Sequence, residues 1–358
     1  MLDRKSPLPL YYQLAEQLKE QIELGQIKPG DKLLSESEMM ELYGIGRPTI
    51  RHALAQLVNE GYLEKQHGTG TFCCQLGIPG KRLSIDVILE LADTYFIPYY
   101  IKGISLVLED NECDFLIKDS RNDTTRIREL LEDIIDKGSS GVILQPSHLD
   151  KPVPVRLKDC FRRMRNAGIP YIMIDSTFEG VDASFVIMDE YEGGRLAADY
   201  LSQLGHRRLA MAYMDTYKYS LLRLAGFTDN CKQSGMPQPI RLKYGLELKD
   251  NLIQIVKQKE ATALFFDNDE AAAEYMHYLK GAGFCIPRDV SVLGFDDSII
   301  TTMIDPPLTS IAHPKQSMGE LAARALIEII NKKRPWPYMH IYKPYIVERY
   351  SCSRLADR

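Results

Sequence analysis

From residue 83 onward, short apolar runs alternate with helix-length amphipathic stretches, and few architectures accept that rhythm. The runs are Ser84–Leu89, Cys113–Ile117, Gly141–Leu144, Tyr171–Ile174, Phe185–Met188, Leu209–Tyr213, Ala263–Phe266 and Val290–Phe295. Helical stretches start near Phe96, Thr124, Val155, Glu190, Tyr219, Glu247, Glu270 and Met318. A strand that is apolar throughout must be covered on both faces, and intervening helices supply the cover. The pattern therefore predicts α/β structure with parallel sheets. Residues 83–358 exceed what a single hydrophobic core usually encloses, which predicts two Rossmann-like subdomains.

The first 74 residues follow a different period. Leu14, Leu18 and Ile22 lie four apart, with Tyr11 and Ala15 beside them, and form one stripe of an amphipathic helix. Gly25 and Pro29-Gly30 end it. Ser35 and Glu38 have capping-box spacing, and Met39 and Leu42 are expected to supply the buried face of a second helix. A third starts at Arg47-Pro48, where proline's missing N–H costs nothing. Ile50, Leu54, Leu57 and Val58 take one side of it; Pro48, His52, Gln56 and Asn59 take the other, flanked by Thr49 and Arg51. Two helices joined by Tyr43-Gly44-Ile45-Gly46 make a helix-turn-helix. Runs at Tyr62–Gln66 and Thr71–Cys74, either side of His67-Gly68-Thr69-Gly70, predict a hairpin. The order predicts a winged helix over residues 1–74, followed by a linker over 75–82 and the α/β unit over 83–358.

Five pieces of this segment resemble the GntR-type winged helix: Pro29–Leu33, Ser35–Met39, Gly46–Arg51, Glu60–Leu63 and Gly68–Phe72. The resemblance implies that the second helix of the motif enters the DNA major groove and the wing reaches the minor groove. It carries DNA contact to Arg47, Thr49 and Arg51, with Pro48, His52, Ser35 and Ser37 beside them and His67 and Gly68 at the wing tip. Two positions depart from the family: Gly46 replaces a usual Ser or Thr, and Ser37 replaces a frequent base-reading arginine. Basic residues exceed acids from Arg47 to Arg82, whereas seven of the first ten acids fall between Glu16 and Glu41. The overall charge of −5 thus conceals a local positive patch. Taken alone, Arg47 and Arg51 would read as solvated helix charges.

In the α/β part, a search for catalysis finds no Gly-x-Ser-x-Gly elbow, no phosphate-binding loop of the Gly-x-x-x-x-Gly-Lys type and no dinucleotide turn. No two histidines have metal spacing. Short polar residues do recur after the apolar runs: Asp175, Asp189, Asp267-Asn268-Asp269 and Asp296-Asp297. Ligands of α/β sheets bind at the carboxyl ends of strands, and such groups suit a polyhydroxylated molecule. Each could equally cap a loop. Several stretches resemble the LacI/GalR-type, periplasmic-binding-protein-like effector domain: Asp189–Gly194, Leu204–Arg208, Arg223–Phe227, Asn268-Asp269, Ile286–Asp297 and Pro307–Ile311. That resemblance implies sugar contacts at Asp175, Arg223, Asn268 and Asp296, and a structural role for His206. Glu90 and Tyr95, in a first strand that departs from the family pattern, are further candidates.

A GntR-type head on a LacI-type body resembles the arabinose-repressor family, as do Tyr95–Pro98, Gly168–Ile174 and Pro307–Lys315. The resemblance implies a homodimeric repressor that binds double-stranded operator DNA and is released by a sugar, L-arabinose. Another pentose, a hexose or a nucleoside remains an alternative effector. A sugar-modifying enzyme using Asp175 and Asp296 is disfavoured by the DNA-binding head and the missing nucleophile. A transport-associated sugar-binding protein would need a signal peptide, which the polar start Met1–Pro7 does not provide. Four charges between Ile85 and Leu108 argue against a membrane span in the most apolar stretch. Seven scattered cysteines without a Cys-x-x-Cys pair suggest reduced thiols in a cytoplasmic protein that needs no metal or cofactor.

Overall fold

The computed structural model describes residues 8–59, 62–66, 69–73, 82–91, 95–149 and 151–355. The head contains α1 (Leu10–Glu23), α2 (Glu36–Tyr43), α3 (Arg47–Asn59), β1 (Leu63–Gln66) and β2 (Gly70–Cys73). Leu14 and Leu18 of α1 meet Ile50, Leu54 and Leu57 of α3 in one buried cluster with Met39, Tyr62 and Leu63. Ser35 caps α2 as expected: its hydroxyl accepts the Glu38 N–H, and the Glu38 carboxylate accepts the Ser35 N–H. Gly44 closes that helix at φ 64°, a left-handed conformation that suits glycine. The expectation for Leu42 fails. It is 62% exposed, because the face of α2 that meets the shared core carries Met39, buried, and Met40 and Tyr43, partly buried, and Leu42 lies off it. β1 and β2 pair antiparallel, with Leu63 opposite Cys73.

The body begins with β3 (Ser84–Leu89), α4 (Ile97–Asp110), β4 (Asp114–Asp119), α5 (Thr124–Lys137), β5 (Gly141–Leu144), α6 (Val155–Asn166), β6 (Tyr171–Ile174) and β7 (Ser184–Met188). A second lobe follows: α7 (Glu190–Gln203), β8 (Leu209–Tyr213), α8 (Lys218–Gln233), β9 (Ile240–Lys243), α9 (Leu248–Lys257), β10 (Ala263–Phe266), α10 (Asp269–Gly281), β11 (Ser291–Asp296), α11 (Ile300–Met303) and β12 (Thr309–Ala312). The chain then returns. α12 (Lys315–Ile330) packs on the first lobe, β13 (Met339–Tyr342) joins β7, and β14 (Tyr345–Val347) joins β12.

Each lobe is thus a six-stranded sheet, ordered β13-β7-β6-β5-β3-β4 in the first and β14-β12-β11-β10-β8-β9 in the second. Among the described residues the body's strands pair in parallel, except β12 with β14. The described chain crosses between lobes after β7, after β12 and after β13. β9, β12, β13 and β14 were not among the expected apolar runs. β12 is buried throughout, but half of it is Thr309 and Ser310; β9, β13 and β14 lie at sheet edges and are partly exposed, so they lack a continuous apolar run. No helix among the described residues is long and apolar enough to cross a membrane.

Candidate functional site

On the head, α3 presents Arg47, Pro48, Arg51 and His52 to solvent, with Thr49 half-buried. Glu36 of α2, which sequence reasoning missed, organises this face. Arg51 Nε donates to both Glu36 carboxylate oxygens, at 2.9 and 3.0 Å. Arg47 Nε lies 3.7 Å from the same carboxylate, and Arg47 Nη2 donates to Ser37 Oγ at 3.3 Å. The His52 ring stacks on Tyr11 of α1 at 3.9 Å. Ser35 is exposed, but its hydroxyl is committed to the α2 cap. His67 and Gly68 lie outside the described residues, as do Cys74 and the linker from 75 to 81.

In the body, a cavity of about 270 Å³ lies between the lobes at the carboxyl ends of the strands. Five expected residues line it: Tyr95, Asp175, Arg223, Asn268 and Asp296. Asp175 follows β6 at φ 72°. Its carboxylate accepts Gln145 Nε2 at 3.0 Å, with His148 Nε2 and His313 Nε2 each 3.3 Å away. Burial would raise its pKa, but the two histidines outweigh burial and hold it well below the usual carboxylate range. Burial likewise opposes a charged His148, yet Asp175, Glu90 and Glu190 raise its pKa. Asp296 ends β11 at φ 110°, accepts the Tyr95 hydroxyl and faces Lys315 Nζ at 3.4 Å. Its pKa is lowered despite burial, because Lys315, Arg223 and His313 surround it.

Arg223, on α8, is 4% exposed. Its Nε donates to Glu190 Oε2 at 2.6 Å, its Nη1 donates to the Asp267 carbonyl, and its guanidinium lies 3.4 Å from the centre of the Phe295 ring. Helix crossing sets this position. Gly194 and Gly226 let α7 and α8 touch backbone to backbone, and a Cβ at Gly194 would meet the Arg223 carbonyl at 1.9 Å. Asn268 combines both readings: it lines the cavity and caps α10, accepting the Ala271 N–H at 2.8 Å.

The remaining candidates divide. Glu90 is not part of the cavity lining. Its N–H donates to Gln145 Oε1 at 3.1 Å, and its carboxylate, pKa raised by burial, acts on His148 electrostatically. Asp189 is a helix cap, accepting the Glu192 N–H, and does not reach the cavity. Asp267 and Asp269 are wholly buried in the second lobe, where Asp269 fixes Ser298 and Ser310 and is pushed up to about 7 by burial and by Asp296. Asp297 pairs with Arg349 at 2.6 Å. His206 bonds Thr262, Ser291 and the Ser353 carbonyl, the structural role expected of it. Glu190, His148, His313, Lys315, Tyr100 and Tyr219 line the cavity without having been singled out. Glu190 had a usable signal, as it lies two residues past the strand end expected at Met188.

The cavity thus sets Arg223 against Glu190 and Lys315 against Asp296, with aromatic rings beside them, which suits a neutral polar ligand. Asp175, Glu190 and His313 place donor atoms within 4.8 Å of one another, as a metal site would. However, Arg223 already pairs with Glu190, and Gln145 and His148 already engage Asp175. Across the mouth, the Lys218 N–H donates to the His148 carbonyl at 2.9 Å and Leu149 bridges to Tyr217, so the lobes touch directly.

Residues 10–73 match bacterial regulatory proteins of the gntR family, and residues 198–352 match the periplasmic binding protein-like domain. An arabinose metabolism transcriptional repressor of Geobacillus stearothermophilus is 30% identical over 98% of this chain and 100% of its own length. A protein of the same name from Halalkalibacterium halodurans is 30% identical, covering 96% of each chain. A LacI family transcriptional regulator from Enterococcus faecium, solved with bound ribose, is 25% identical and superposes with a TM-score of 0.62 over 76% of this chain and 99% of its own. With a regulatory head, a binding-protein-like body and full-length similarity of this order, the chain belongs to the family of arabinose metabolism transcriptional repressors, which are regulators and not enzymes.

Proposed function

We propose that this repressor binds operator DNA as a homodimer and lets go when L-arabinose occupies the cavity between the lobes of its body. In this reading residues 1–74 form the DNA-binding head, 75–82 a linker and 83–358 the sensing and dimerising unit of a cytoplasmic protein. Arg47 and Arg51 contact bases or phosphates from α3, helped by Pro48, Thr49, His52, Ser35 and Ser37, with His67 and Gly68 at the wing. Asp175, Arg223, Asn268, Asp296 and Tyr95 hold the sugar, and Glu90 supports His148 from outside the cavity. The observation that carries the reading is the cavity itself: about 270 Å³, with Arg223 set against Glu190, Lys315 against Asp296 and His148 against Asp175, and with Lys218 and Glu270 adding one charge of each sign to the wall. That volume is small for a ligand site, which favours a monosaccharide over a longer sugar. The balanced charge favours a neutral sugar over a phosphorylated or acidic one. Tyr99 and Leu106 on one face of α4 and Leu116 on β4 are exposed apolar side chains that a second copy would cover.

Calorimetry of the full chain with L-arabinose, D-xylose, D-ribose and D-galactose, alongside release from operator DNA, tests the proposal. L-Arabinose should give heat and release. Release by a different sugar of the panel would keep the repressor and replace its effector, while sugar binding with no effect on DNA would remove the mechanism.

A further inference from the structure

The cavity wall includes two buried polar side chains that form no well-aligned hydrogen bond with another protein group. Tyr100, on α4, is fully buried, and its hydroxyl has the Asp175 carboxylate beside it but makes no hydrogen bond of normal geometry with it. His313, in the crossover after β12, is 8% exposed, and neither ring nitrogen makes such a bond. Its Nε2 lies 3.3 Å from Asp175 and 3.9 Å from Glu190, within ion-pair range but badly aligned. The two rings meet edge to face at 6.4 Å, and both line the cavity.

An unpaired buried hydroxyl destabilises a folded chain, and phenylalanine would fill the same space without that penalty. Packing explains the Tyr100 ring, which meets Phe96 and lies on the α4–α12 contact, where a Cβ at Gly319 would come within 2.6 Å of the Tyr100 carbonyl. Packing does not explain the hydroxyl. Burial and the Asp175 charge keep it protonated, so it is a standing donor. His313 can donate or accept according to its tautomer.

We infer that the Tyr100 hydroxyl and the His313 ring, beside Asp175, form a subsite that reads neighbouring hydroxyls of a monosaccharide and sets which epimer the protein answers to. The inference rests on the cavity being a sugar site. Its physical basis is that a site built to bond a hydroxyl rejects an analogue that places it elsewhere, because the protein groups are then left unpaired.

Tyr100→Phe is the test, made in the full chain with the same four sugars. Its melting temperature without sugar should equal or exceed that of the wild type. Its affinity for the preferred sugar should fall by about tenfold or more, and the ratio between that sugar and the others should shrink. His313→Gln, which keeps a donor and an acceptor, should bind more tightly than His313→Phe. A Tyr100→Phe protein that loses stability without sugar would show that the hydroxyl serves the fold, and unchanged affinities for every sugar would end the inference. Equal affinities of the two His313 variants would remove that ring from the subsite. A wild-type chain that takes up none of the four sugars would instead overturn the sugar reading, and the subsite with it.

Discussion

The head and the cavity each use arginine against glutamate, in opposite surroundings. Arg47 and Arg51 are 52% and 62% exposed, and their shared Glu36 is 23% exposed. In the cavity Arg223 is 4% exposed and Glu190 7%. An exposed pair contributes only ~0–1 kcal/mol, so Arg51 can exchange Glu36 for a DNA phosphate at little cost. A buried pair behaves differently: removing one partner strands the other charge in a poor solvent, at ~3–5 kcal/mol. The head is therefore built to change partners, and the cavity to hold a geometry.

The largest expected effect lies on the cavity side. Arg223→Ala should lower unfolding stability by ~3–5 kcal/mol, as Glu190 loses its counter-charge, and should abolish release by sugar. Denaturant unfolding and operator release measure both, and a variant of wild-type stability that still responds would erase the contrast. Next comes Arg51→Ala. Operator binding should weaken by ~1–3 kcal/mol with stability nearly unchanged, and the salt dependence should flatten by about one unit if the contact is to phosphate. Binding across a salt series decides, and equal binding would take Arg51 off the interface.

Lys218→Pro isolates a single bond between the lobes. Lys218 is the first residue of α8, where proline is tolerated, and Tyr217 before it is extended, as a residue preceding proline prefers. The substitution also removes the lysine side chain from the cavity wall, so Lys218→Ala is its control; relative to that control only the N–H to His148 is lost, and sugar affinity should fall by ~0.5–1.5 kcal/mol. Unaltered calorimetry would mean that this contact does not hold the lobes together. The smallest effect is expected from Glu36→Gln. Freeing Arg47 and Arg51 should raise affinity for random DNA relative to operator by ~0–1 kcal/mol. A competition assay with random DNA should show reduced discrimination, and improved discrimination would contradict the positioning role of Glu36.

How far each region could be read in advance follows the same division. The capping box at Ser35 and Glu38, the start of α3 at Arg47 and the strands at Gly141–Leu144, Tyr171–Ile174, Leu209–Tyr213 and Ala263–Phe266 stand where the sequence places them. All are matters of neighbouring residues. The acids after the strands could not be sorted in this way. Asp175 and Asp296 reach the cavity, whereas Asp189 caps a helix and Asp267 and Asp269 are consumed inside the second lobe. Every one of them looks alike in sequence, a short acid after an apolar run.

The sequence by itself determined the winged head, the alternating α/β rhythm and the solvent-facing side of α3, because hydrophobic period, caps and turns act over a few consecutive residues. Tertiary structure alone decided that Glu190 meets Arg223, that His148 and His313 converge on Asp175 from different segments, and that Glu36 sits beneath both arginines of the head. Those meetings depend on the chain crossing between lobes and on glycine-lined helix contacts such as Gly194 against Arg223. Whether a charge finds its partner in water or in the interior is a property of that packing, and no local spacing encodes it.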